Sequence, residues 1–118
     1  MKTKTKTYAY ALDLTDDQEV IKQYVEHHKN VPPEVLEAGK ALGILSDRIY
    51  LIGNRLFRFT EATDGYDPDT SCDYARLSSV ARKWDELMRT YQRPLEQRES
   101  DEWWARMELI YQCDFTGQ

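Results

Sequence analysis

Residues 47–62, DRIYLIGNRLFRFTEA, constrain the fold more than any other stretch of the chain. Two runs rich in β-branched and aromatic residues, 47–52 and 55–62, flank Gly53-Asn54, a two-residue loop of the kind that tolerates positive φ. They read as an antiparallel hairpin. A two-stranded hairpin is marginal alone, so the remainder of the 118 residues must supply further strands and something to cover them. At this length one domain with one core is expected, spanning 1–118, with 1–7 a lead-in and 8–112 the folded body.

The segments around the hairpin supply those parts. YAYALDL, residues 8–14, is a short apolar run ending at an acidic turn and suits a buried strand. Thr15 followed by Gln18 has the spacing of a capping box, and Asp16, Asp17 and Glu19 lie where a helix dipole favours negative charge. The helix it opens carries Val20, Ile21, Tyr24 and Val25 on one face, with His28 one turn further and His27 toward the flank. Pro32-Pro33 ends it. Pro33 then opens a second short helix, 33–43, with Gly43 as its C-terminal cap.

Residues 63–73 are rich in turn formers, and 74–91 place Leu77, Val80, Ala81, Trp84, Leu87, Met88 and Tyr91 at helical spacing. After a polar connection at 92–101, WWARMELIY alternates Trp103, Ala105, Met107, Leu109 and Tyr111 against Trp104, Arg106 and Glu108, as in a last strand. The order is strand, helix pair, strand, strand, helix, strand. It predicts an α+β, ferredoxin-like βαββαβ fold, with helices on one face of a four-stranded antiparallel sheet. The other face needs cover, and a C₂ homodimer is expected to provide it.

Composition narrows the function classes. A net charge of -5 and a pI near 5.0 argue against a nucleic-acid partner, and Lys2, Lys4 and Lys6 suit a solvated N-terminal strand or tail. Cys72 and Cys113 are too few and too far apart for a disulfide framework or a C-x-x-C motif. Nothing in the sequence suits a membrane span or a leader, so a soluble, cytoplasmic protein is expected.

Nucleotide-binding, zinc-protease and nucleophile-elbow motifs are absent, which leaves acid/base chemistry without a cofactor. Side chains at i and i+1 point about 100° apart on a helix, so His27 and His28 are not expected to share a metal ion. His28 and Tyr24 can instead converge on one small volume, where imidazole can give or take a proton near neutral pH. The same pattern also fits a helix-end histidine packed on a tyrosine. Asp47 and Glu61 are candidate second carboxylates, each open to a plainer reading as a turn residue or a strand-edge charge. Arg58 alternates with Phe57 and Phe59 and is expected to face away from the aromatic core, toward solvent or a cavity. Trp84 fits either core or a sugar platform.

Several segments in order carry a family resemblance: YALDL-x-DD, Tyr24-x-x-x-His28 followed by Pro33, Gly43, NRLF-x-x-x-E at 54–61, WDELM at 84–88, YQ-x-PL at 91–95, and Trp104-x-x-Met107. Together they resemble the L-rhamnose mutarotase family, with NRLF and WDELM closer to its L-fucose mutarotase branch. The resemblance runs from Tyr8 to Tyr111. It implies a dimeric α/β barrel and a cofactor-free enzyme that interconverts the α and β anomers of a 6-deoxy-L-hexose. On it, His28 takes the catalytic position, with Asp47 or Glu61 as its partner. Tyr24, Trp84, Arg58 and Asp85 are placed around the substrate. Asp85 stands where the rhamnose enzymes have a second tryptophan, and Pro32 where the family's usual Trp-Pro has its aromatic residue. A non-catalytic sugar- or metabolite-binding module on the same barrel is the alternative.

Overall fold

The computed structural model describes residues 5–68 and 73–116; Lys2, Lys4 and Cys72 lie outside them. Strand β1 (Thr5–Leu14) is followed by helices α1 (Gln18–His27) and α2 (Pro33–Ala41), then by β2 (Ile44–Ile52) and β3 (Arg55–Thr63). A 3₁₀ turn (Asp73–Arg76) leads into α3 (Ser79–Tyr91), β4 (Gln92–Arg93) and β5 (Ala105–Arg106). The sheet is antiparallel in the order β2-β3-β1-β4, with β5 also on β1. This is the ferredoxin-like order expected from the sequence. Among the described residues, no helix is long and apolar enough to cross a membrane.

Local chemistry sets the boundaries. Asp17, not Thr15, caps α1, its carboxylate accepting from the Glu19 and Val20 amides at 2.9 and 3.2 Å. Thr15 is still tied to the end of α3, with its amide and hydroxyl both donating to the Tyr91 carbonyl. Helix α3 likewise starts later than periodicity implied. Ser78 caps it by accepting from the Ala81 amide, so Leu77 falls outside the helix and is exposed. In the hairpin only Gly53 takes a positive φ, 57°. Gly43, at φ 102° just past α2, sits so close to Thr63 that a Cβ would come within 2.5 Å of the threonine hydroxyl. That close approach, with the Thr63 amide donating to the Gly43 carbonyl, seats the junction of α2 and β2 against the end of β3, and β2 begins three residues earlier than the sequence pattern suggested.

The fourth strand differs most from expectation. Gln92 and Arg93 pair with Leu14 and Asp13, and Ala105 and Arg106 pair with Ala11 and Tyr10, so two short strands share the outer edge of β1. Residues 94–104 make an excursion between them. The alternation expected over 103–111 therefore does not hold. Met107 still donates its amide to the Ala9 carbonyl, but 108–114 carry no regular structure, and Leu109, Ile110 and Tyr111 are exposed.

Register divides the sheet into two faces. Tyr8, Tyr10, Leu12, Leu56, Arg58, Thr60, Asp47, Ile49 and Leu51 oppose one another on the face toward the helices. The core sits there, with Leu14, Tyr24, Leu56 and Met88 buried and Ile21, Trp84, Tyr91 and Trp104 packed against them. The opposite face carries Tyr50, Phe57, Phe59 and Glu61.

Candidate active site

Between the helices and the covered face lies a cavity of about 790 Å³, within the usual range for small-molecule sites. Tyr24, His28, Asp47, Arg58, Trp84 and Asp85, all singled out in the sequence, line it. Helix geometry brings Tyr24 and His28 together, with ring centroids 4.6 Å apart, and Trp84 of α3 meets the His28 ring edge-on at 5.2 Å.

The histidine is held in one tautomer. Its Nδ1 lies 2.8 Å from the Tyr24 carbonyl oxygen, which can only accept, so Nδ1 carries the hydrogen. In the neutral ring Nε2 then offers a lone pair, and it has no hydrogen-bond partner among the described residues. Burial pushes the His28 pKa below the ordinary 6.5, helped by His27 and opposed by the Tyr24 carbonyl and by Asp47. A neutral imidazole at neutral pH is a competent proton acceptor. Tyr24 is 3 % exposed, and burial pushes its pKa up to about 12 against the pull of its Gln92 hydrogen bond and of Arg58. It remains a phenol and hence a donor.

Arg58 and Asp47 form the charged part of the cavity. The Arg58 Nε donates to both Asp47 oxygens, at 2.9 and 3.1 Å, and the Thr60 hydroxyl donates to Oδ1 at 2.8 Å. Burial opposes the Arg58 charge, and the Asp47 carboxylate more than compensates. Its guanidinium lies 5.3 Å from the Tyr10 ring centroid and 5.7 Å from that of Trp104, between two aromatic faces. The sequence expectation for Arg58 is thereby half corrected. It does face a cavity, but that cavity belongs to the core side, and Phe57 and Phe59 are on the open face.

Glu61 is not in the site. Its register partners are Thr7 and Ser46 on the open face, where it accepts a hydrogen bond from the Thr5 hydroxyl at 3.2 Å. Asp85 lines the cavity with both oxygens engaged, Oδ1 by the Tyr74 hydroxyl and Oδ2 by Arg89 Nε, each at 2.9 Å. His27 turns away from His28, its Nε2 3.1 Å from the Tyr91 hydroxyl. Three further lining residues, Gln92, Trp103 and Trp104, were given no place in the site by the sequence, although Gln92 and Trp104 belong to segments that carry the family resemblance. Strand alternation put the two tryptophans on opposite faces, whereas the excursion lets both turn inward. A polar, acidic stretch ending in two adjacent indoles was the signal available.

Residues 7–113 match the family model described as L-rhamnose mutarotase. The chain belongs to the L-rhamnose mutarotase family. Members of this family named for rhamnose or fucose mutarotation are carbohydrate isomerases, and two curated relatives resemble the chain along most of its length. One is a UPF0734 protein of Dictyostelium discoideum, 40% identical over 117 residues, covering 96% of this chain and 94% of the relative. The other is an L-fucose mutarotase of Xanthomonas campestris pv. campestris, 30% identical over 104 residues, with 86% and 83% covered. Among solved structures, an L-rhamnose mutarotase from Formosa agariphila superposes with a TM-score of 0.64 at 19% identity, covering 92% of this chain and 99% of that one. The tetracenomycin F2 cyclase of Streptomyces glaucescens matches at 0.54 and 16%, covering 92% and 97%. At those identities the two structures speak for the fold.

Proposed function

We propose that the protein is a sugar mutarotase that interconverts the α and β anomers of a 6-deoxy-L-hexose such as L-fucose or L-rhamnose, using its side chains alone for acid/base catalysis. The observation that carries this reading is the His28 tautomer, fixed by the Tyr24 carbonyl so that a basic Nε2 is left for the cavity. Nε2 takes the proton of the anomeric hydroxyl; its electron pair forms the C1 carbonyl as the bond from C1 to the ring oxygen breaks. The ring oxygen leaves as an incipient alkoxide, a stronger base than a phenolate, so the Tyr24 O–H is a suitable donor to it. Rotation about C1–C2 and the reverse steps close the ring on the other carbonyl face.

Asp47 and Arg58 suit the remaining hydroxyls as acceptor and donor. The indole of Trp84 suits the apolar edge near the C6 methyl. Positioned proton transfer contributes roughly 10² to 10⁴ in rate, a fitting amount for a reaction that also proceeds unaided in water. Saturation-transfer NMR on L-fucose and L-rhamnose tests the proposal. Exchange between α and β signals is expected to accelerate on adding protein; bound sugar with unchanged exchange would leave the binding-module alternative.

A homodimer forms part of the same proposal. Tyr50, Ile52 and Phe59 on the open face are 56%, 70% and 42% exposed, an apolar surface of the kind that a second sheet covers. Light scattering should give twice the mass of one chain, and the double variant Tyr50→Lys, Phe59→Lys should give the mass of one. A variant that keeps the doubled mass would place the interface elsewhere.

A further inference from the structure

The Tyr24 hydroxyl has its hydrogen-bond direction imposed by two other residues of the cavity wall, Gln92 and Trp103. Trp103 Nε1 lies 2.8 Å from Gln92 Oε1, and an indole nitrogen can only donate. The Gln92 amide must therefore present its oxygen to Trp103 and its NH₂ to Tyr24, whose hydroxyl oxygen accepts from Nε2 at 3.0 Å. The opposite flip would set two donors against each other. Gln92 is only 5% exposed, so water could not relieve that clash cheaply. With its oxygen engaged by Gln92, Tyr24 retains a proton that no described residue accepts.

We propose that Trp103 and Gln92 are positioning residues that make Tyr24 an obligate donor into the cavity, a role in catalysis that rests on the sugar reading above. Without this polarity Tyr24 could donate to the amide oxygen instead, and a sugar oxygen would lose its proton source. The relay is also braced from behind. Arg89, held by Asp85, places its guanidinium 4.4 Å from the centroid of the Trp103 ring. The indole is thus fixed on its face by a cation and at its edge by the amide. Asp85, itself part of the cavity wall, acts on this relay through Arg89 and Trp103.

The test combines kinetics with a signal that needs no sugar. Gln92→Met keeps length and removes both hydrogen bonds; Trp103→Phe keeps a ring for Arg89 and removes the N–H. Each should lower kcat/KM for anomer exchange about tenfold, the value of one well-placed hydrogen bond. In a Tyr24→Phe background, Gln92→Met should cost less than twofold further, because the hydroxyl it orients is gone. In ¹⁵N-labelled protein, the Trp103 indole proton should move upfield in Gln92→Met while the other two indole signals stay in place. Equal losses from Gln92→Met with and without the Tyr24 hydroxyl would overturn the relay, as would an unmoved Trp103 indole signal. Should the wild type accelerate no anomer exchange, the sugar reading fails, and the indole signal still decides whether the relay exists.

Discussion

Each face of this sheet carries a few residues that an amphipathic sheet usually keeps on the other. In most one-sided antiparallel sheets the covered face is apolar and the open face polar. Here the covered face sets Asp47, Arg58 and Thr60, the last at 0% exposure, among Tyr10, Leu12, Leu51 and Leu56, and the open face sets Tyr50, Ile52, Phe57 and Phe59 among Arg48, Arg55 and Glu61. The polar groups under the helices are tolerated because each has partners, the Arg58–Asp47 pair and the Thr60 hydroxyl forming one closed set. Arg58 and Asp47 line the cavity, Arg58 nearly buried and Asp47 36% exposed, while Tyr50, Ile52 and Phe59 stand exposed on the opposite face.

That contrast can be broken first at the covered face. Replacing His28 by Ala removes the only imidazole directed into the cavity and should reduce enzyme-dependent anomer exchange by about 10² or more, with the circular-dichroism spectrum unchanged. Asp47→Ala should follow. It strands a guanidinium whose side chain is 11% exposed, and since Asp47 itself is 36% exposed the loss of stability should be modest, about 2 kcal/mol in urea unfolding. Activity should fall with it, because Arg58 loses the partner that orients it.

A smaller effect comes from pH. Because burial lowers the His28 pKa, the basic form persists below pH 6.5, and the acid limb of the rate should lie below that of an ordinary histidine. The sign for stability follows from the same shift. Above 6.5 the group is neutral in both folded and unfolded states and contributes nothing. As pH falls below 6.5 the unfolded chain binds the proton first, so stability declines until the folded value is passed. His28→Gln should flatten both dependences in pH-resolved kinetics and melts. The smallest change is expected on the open face: Glu61→Gln should alter exchange less than twofold and stability by about 0.5 kcal/mol at most. A large kinetic loss there would mean that the two faces are not functionally separate.

Which residues fall on which face escaped the sequence for a physical reason. Period-two alternation tells which residues share a face but not which face is buried. The pair Phe57 and Phe59 therefore looked like core and Arg58 like its outside, when the helices lie over Arg58. By contrast, the pairing of Tyr24 with His28 was legible because an i, i+4 spacing is a local property of one helix. The hairpin was legible too, since Gly53 alone meets the φ its turn requires. Whether His28 or Glu61 reached a cavity depended on β3 register and on the packing of α3, both long-range. The fourth strand misled most: WWARMELIY alternates well enough for a strand, but only Ala105 and Arg106 form one.

The excursion at residues 94–104 has a consequence for how such a chain can change over generations. Its two ends, β4 and β5, keep β1 paired, while its interior delivers Trp103 and Trp104 to the cavity. Edge pairing and ligand contact are thus assigned to different residues of one short segment. Substitutions between Pro94 and Glu102 lie outside the β1 ladder, so this segment can vary, and with it the placement of Trp103 and Trp104 on the cavity wall, without breaking the pairing of β4 or β5 with β1.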